Sequence, residues 1–172
     1  LVDAVAGTRA RILDTRKTTP GLRVLQKHAV LCGGGANHRH GLHDAVLIKE
    51  NHIALMPPGP LGSGPAEAVR QARAAVGPAV SIEVEIEHLA DLAPVIAAGA
   101  DIVLLDNMAP DLLRTAVLER DRLGSRTLLE ASGGITLASV RSVADSGVDR
   151  ISTGSMTHSV IALDLSMRCD PA

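Results

Sequence analysis

No phenylalanine, tyrosine or tryptophan occurs anywhere in the 172 residues, where ordinary usage would supply on the order of ten. Chance does not produce such a gap, and deliberate removal of aromatics accounts for it more simply than natural bias. Aromatic side chains bury the largest areas, so the core has to be assembled from Leu, Ile, Val, Met and Ala, and stability rests on how well these repack. Cysteine is almost as scarce. Cys32 and Cys169 make neither a disulfide framework nor a metal-like cluster and read as ordinary thiols. No apolar run approaches a membrane span and no charged-then-apolar leader stands at the start, so a soluble, cytoplasmic protein without membrane association is expected. A net charge of −2 provides no broad basic face and argues against a nucleic-acid partner.

What is present is a chain with 46% hydrophobic and 21% charged residues, enough for one domain over 1–172 with a sizeable core. Apolar strand-like runs recur, each trailed by a helical pattern. The runs are residues 10–13, 44–49, 80–85, 101–106, 126–130 and 149–153; the helical patterns cover about 21–31, 66–75, 86–98, up to 123, and 132–146. Pro57 to Pro65 is too rich in Pro and Gly for either. Six strand–helix units with short loops imply parallel strands and right-handed crossovers. The expected fold is an α/β, TIM-like (β/α) barrel, incomplete or closed, with six or seven strands. A doubly wound sheet is the alternative, but no Gly-x-Gly-x-x-Gly follows the first strand.

The chemistry gathers at strand ends. Asp14-Thr-Arg-Lys-Thr-Thr-Pro-Gly21 places Arg16 and Lys17 side by side among hydroxyls. Arg grips two anionic oxygens at once and Lys acts as a point charge, which suits a carboxylate or pyrophosphate; a solvated charged loop is the plainer reading. Cys32-Gly-Gly-Gly-Ala-Asn-His-Arg39 lets backbone approach a ligand and brings His38 and Arg39. Lys49 ends the second run and would project into the same cavity as Arg16, unless it merely reaches to water. Glu83 and Glu85 share one strand face. Glu85 and Asp106, at neighbouring strand ends, could converge on sugar hydroxyls or a divalent cation, or lie exposed on the surface. Ser132-Gly-Gly134 and Thr153-Gly-Ser155 are read as helix amino ends, where free N–H groups favour phosphate. Zinc binding is a minor idea, resting only on the spacing of His38 and His40.

Taken in order, these segments resemble the quinolinate phosphoribosyltransferases, the carboxylating nicotinate-nucleotide pyrophosphorylases. The resemblance is carried by Asp14 to Gly21, Gly33-Gly-Gly-Ala-Asn-His-Arg39, Leu47-Ile-Lys-Glu-Asn-His52, Ile82-Glu-Val-Glu85, Leu104-Leu-Asp-Asn107, Glu130-Ala-Ser-Gly-Gly-Ile135 and Thr153-Gly-Ser-Met-Thr-His-Ser159. It implies transfer of a phosphoribosyl group from phosphoribosyl pyrophosphate to quinolinate, with loss of carbon dioxide and pyrophosphate, assisted by Mg2+. The product would be nicotinate mononucleotide.

By the same resemblance, Arg16, His38, Arg39 and Lys49 hold the quinolinate carboxylates, and Lys17 helps to bind the pyrophosphate donor. Glu85 and Asp106 contact the ribose or its magnesium, and with Lys49 form the catalytic set. Ser132, Gly133, Gly154 and His158 line the 5′-phosphate site. Two departures stand out. The family's additional amino-terminal α/β domain, which covers the partner's site in a homodimer, has no counterpart here, so impaired turnover and either a monomer or a pair joined through bare apolar faces are expected. The family also favours aromatics where this chain has His28, His43, Met108 and Arg150, and Arg150 is expected to face solvent. A non-catalytic, engineered aromatic-free scaffold that keeps an anion pocket is the alternative.

Overall fold

Runs of Ile, Val and Leu form six strands: β1 (Arg11–Leu13), β2 (Val46–Ile48), β3 (Ile82–Ile86), β4 (Ile102–Asp106), β5 (Leu128–Ser132) and β6 (Arg150–Ser152). Between and around them lie α1 (Arg23–Cys32), α2 (Glu50–Leu55), α3 (Pro65–Val76), α4 (Leu92–Ala97), α5 (Pro110–Arg122) and α6 (Val140–Ala144). The structure is a computed structural model and describes residues 1–60 and 62–169; Leu61, inside the Pro57 to Pro65 loop, lies outside the described residues. Proline opens both α3 and α5, where a missing N–H costs nothing.

All strand pairs are parallel and the sheet runs β1-β6-β5-β4-β3-β2. That is the cyclic order of a β/α barrel opened between β1 and β2, as the strand–helix alternation predicts. The seam is partly filled. Ala36 bridges Leu13 in parallel, its N–H donating to the Ile12 carbonyl at 2.8 Å and its carbonyl accepting from the Asp14 N–H at 3.2 Å. Ala36 thus acts as a one-residue fragment of a further stave.

Strand alternation divides the side chains between two faces. One face buries Ile12, Ile48, Val84, Val103, Leu105, Leu129 and Ile151 against Val69, Leu92, Val95, Leu113, Ala116 and Val140 of the helices. Aliphatic side chains alone fill this core. Register places Glu83, Glu85, Leu104, Asp106, Glu130, Ser132, Arg150 and Ser152 on the other face. Barrel interiors are usually layered with bulky branched residues; this one is charged.

Four elements differ from expectation. Helix α2 follows Lys49 directly, held by the Lys49 N–H donating to His52 Nδ1 at 2.9 Å. The helix expected over 86–98 is shorter, because β3 continues to Ile86 and a 3-10 turn at Leu89–Asp91 precedes α4. The largest correction concerns Ser132-Gly-Gly134. Gly133 (φ +98°) and Gly134 (φ +58°) leave the right-handed region, so α6 starts only at Val140 and the turn is not a helix amino end. Thr153-Gly-Ser155 opens only a 3-10 turn, Gly154–Met156, capped by Thr153 Oγ1.

Candidate active site

Two loops meet at the carboxyl ends of the strands. The Thr157 hydroxyl donates to the Lys17 carbonyl at 2.6 Å, and Gln26 Nε2 donates to the Thr157 carbonyl at 2.8 Å. These bonds set Lys17 beside the turn after β6. Arg23, on the first turn of α1, donates to the carbonyls of Arg16 (3.2 Å) and His40 (3.1 Å) and to the Thr18 hydroxyl (3.1 Å). It staples the Arg16 loop to the segment carrying His38 and Arg39.

Arg39 is anchored through Nη1 to the Ala45 carbonyl at 2.9 Å. Burial lowers its proton affinity, and the charge of Arg16 lowers it further. Arg16 Nε is buried and has no partner among the described residues. Two guanidinium groups close enough to repel, one with an unsatisfied donor, make a place for an anion.

Across the opening, Lys49 Nζ pairs with Glu85. Burial pushes the Glu85 carboxyl up; Lys49 opposes this, while Glu50 and Asp106 add to it. Asp106 holds its neighbour through Asn107 Nδ2 at 2.7 Å, with Asn107 itself at φ 52°. The charge of Asp106 reaches the carboxyl of Glu85, the residue it was expected to converge with. Glu85 and Asp106 are hard oxygen donors of the kind a divalent cation takes.

Below this layer lies a cluster that the strand patterns do not announce. His38 Nε2 stands 2.9 Å from Glu83 and 3.5 Å from Glu130. Glu130 accepts from Arg150 Nε at 2.6 Å, so Arg150 is turned into the barrel and not toward solvent. Burial alone would strip a proton from His38, but the bonds and charges of Glu130 and Glu83 outweigh it and push the ring up to about 9. Burial and the charge of Glu130 push Glu83 up as well. The Arg39 N–H donates to His38 Nδ1 at 2.8 Å, a contact only an unprotonated nitrogen accepts. One proton thus has two takers, and the backbone contact favours Glu83.

His38, Glu83 and Glu130 also have the donor set of a metal site. A metal on Nε2 would require a proton on Nδ1, which faces the Arg39 N–H, so the trio fits a proton better than a cation.

The remaining expected residues line the turns after β5 and β6. Gly133 packs so closely on the Asn107 amide, and Gly154 on the His158 ring, that a Cβ at either would collide. A cavity of about 180 Å3 opens beside Ser132, Gly133, Gly134, Ser139 and Ser142. His158 Nδ1 lies 2.7 Å from the Ser159 hydroxyl. Asp14, Lys27, Asn37 and Arg23, which shape the site, escaped sequence reasoning because their partners are set by the fold.

Arg16 and Arg39, Glu85 and Asp106, and two glycine turns thus gather at the strand ends of an incomplete β/α barrel, an arrangement able to hold an anion. Residues 1–168 match the family described as quinolinate phosphoribosyl transferase, C-terminal domain, and the chain belongs to that family. It is 50% identical over 158 residues to a probable carboxylating nicotinate-nucleotide pyrophosphorylase of Bacillus subtilis, covering 91% of this chain and 51% of that protein. The Mycobacterium leprae enzyme of that name is 45% identical over 166 residues, covering 96% and 56%. Among solved structures, the nicotinate-nucleotide pyrophosphorylase of Francisella tularensis superposes with a TM-score of 0.86 at 44% identity, covering 96% of this chain and 55% of that one. The chain spans about half the length of these relatives. No described helix is long and apolar enough to cross a membrane.

Proposed function

We propose that the chain carries the phosphoribosyl-transfer site for quinolinate: transfer from phosphoribosyl pyrophosphate, with decarboxylation, to give nicotinate mononucleotide. The observation that carries this reading is the pair Arg16 and Arg39, whose charges repel, with a buried Arg16 Nε that has no partner among the described residues. Such a pair suits a substrate bearing adjacent carboxylates. The pyridine nitrogen attacks the ribose carbon as pyrophosphate leaves, and positive charge develops on the ribose. Glu85 and Asp106 stabilise that charge, and Lys17 receives the departing anion. Loss of carbon dioxide leaves its electron pair on the ring carbon, where a proton takes the vacated place.

Ser132, Gly133, Gly154 and His158 hold the 5′-phosphate. Glu85 and Asp106 would hold Mg2+, which would supply charge neutralisation for the pyrophosphate. The turns after β5 and β6 support a phosphate role through exposed backbone and small residues, not through a helix amino end.

A second reading is an engineered barrel that binds these anions without turning them over, and the missing aromatics favour it. A core assembled from aliphatic side chains alone can hold the site residues too loosely for catalysis. The test measures nicotinate mononucleotide formed from both substrates with Mg2+, against Arg16→Ala. Product well above that control is expected; none above it would overturn catalysis, and calorimetry with quinolinate then separates a binding barrel from an inert one.

A further inference from the structure

Asp14 and Lys27 are both fully buried, and together they grip the N–H and the carbonyl of one seam residue, His38. Asp14 Oδ1 accepts from Lys27 Nζ at 2.5 Å and from the His38 N–H at 2.9 Å, while Lys27 Nζ also donates to the His38 carbonyl at 2.9 Å. Asn37 Nδ2 completes the knot, donating to Asp14 Oδ2 at 2.5 Å and to the Lys27 carbonyl at 2.9 Å. Among the described residues the held segment has no full strand ladder, only the single bridge at Ala36. Asp14 stands two residues before Arg16, and His38 one before Arg39. The ion pair therefore joins the two backbone segments that present the two guanidiniums.

Two buried charges are an expensive way to fill a core, since apolar replacements of similar volume are often neutral or stabilising. What an apolar pair could not do is fix both the N–H and the carbonyl of His38. We propose that Asp14 and Lys27 are positioning residues of the anion pocket, a buried ion pair that sets the Arg39 segment against Arg16 so that both guanidiniums converge on one dicarboxylate. The inference rests on the quinolinate reading for its ligand, but its geometry is independent of catalysis.

The double variant Asp14→Asn/Lys27→Met removes both charges together and avoids leaving one unpaired, so the fold is expected to survive, as cooperative thermal unfolding would show. Quinolinate affinity by calorimetry is expected to weaken tenfold or more, with inorganic pyrophosphate affinity changed less than threefold. NMR signals of the Arg16 and Arg39 Nε–H groups report the pocket without any substrate, and the Arg39 signal is expected to move toward that of a solvent-averaged side chain. A folded double variant with unchanged arginine signals and unchanged quinolinate affinity would overturn the proposal. If the wild-type protein takes no quinolinate, the substrate reading fails by itself, and the arginine signals alone decide the positioning role. Should the double variant unfold, Lys27→Arg, which keeps the charges paired but moves the donors that hold the His38 carbonyl, is read by the same arginine signals, and unchanged signals there overturn the proposal.

Discussion

At the scale of single residues, charge geometry matters more than charge count. Arg16 presents a planar fork, so Arg16→Lys keeps the charge but loses the bidentate grip. Quinolinate affinity should fall about tenfold in Arg16→Lys, the equivalent of roughly 1.4 kcal/mol, and further in Arg16→Ala; equal affinities for wild type and Arg16→Lys would remove the bidentate contact from the reading. Asp44 shows a different use of a carboxylate. Its oxygens accept the N–H groups of His40 (2.6 Å) and Gly41 (3.0 Å), pinning the loop between Arg39 and β2. Partial burial would raise its proton affinity, but these bonds outweigh that and hold it below the usual carboxylate range. A depressed folded-state pKa gives stability that is present above the unfolded value of about 3.9 and is lost as pH falls through the folded value. Asp44→Ala should therefore cost about 0.5 kcal/mol at pH 7, small because the site is exposed. Urea unfolding of the two proteins should converge near pH 2; a gap that persists there would mean the carboxylate charge is not its source.

At the scale of elements, the glycine turn after β5 separates backbone demand from space. Gly133 combines φ +98° with a Cβ position already occupied by the Asn107 amide, whereas Gly134, at φ +58°, faces open space. Gly134→Ala should cost roughly 1–2 kcal/mol of stability and leave phosphate affinity nearly intact. Gly133→Ala should also displace Asn107 and weaken phosphate binding several-fold, as calorimetry with inorganic phosphate would show; identical phosphate affinities in the two variants would mean that this turn does not meet the anion. This turn is also where sequence and structure part. All six strands were legible because Ile, Val and Leu cluster in short runs closed by charge. The helix after Gly134 was overextended, because apolar periodicity alone does not register two consecutive positive φ values. Helix α2 was missed because it lacks a buried apolar stripe and is held by His52. Arg16, Lys49, Glu85 and Asp106 stood out as charges ending apolar runs. Lys27, by contrast, looks like any solvent-facing helix lysine, and Glu130 and Arg150 acquire meaning only through pairing across β5 and β6.

At the scale of the whole molecule, the accessible surface is 10022 Å2 for a 17.8 kDa chain, against about 8,000 Å2 expected of a compact monomer of that mass. The excess is not evenly spread. Val24 (76% exposed), Leu25 (66%) and Leu31 share α1, while Ile161 (91%), Leu163, Leu165 and Met167 form an uncovered carboxyl-terminal stretch. Apolar area of this kind drives association, since each Å2 removed from water is worth about 25 cal/mol. The scattered exposed leucines of α5 are too isolated to act in the same way. Pairing of two copies through α1 and the terminal stretch is therefore the expected behaviour, with the homodimer as its simplest closed form. Sedimentation velocity across a hundredfold range of concentration should show reversible growth from monomer toward dimer. Leu25→Lys with Leu163→Asp should suppress that growth without lowering the unfolding temperature, because neither side chain belongs to the buried core. A strictly monomeric wild type would mean that the terminal stretch folds back on its own barrel in solution, and amide exchange over residues 160–167 would then be slow where it is here expected to be fast.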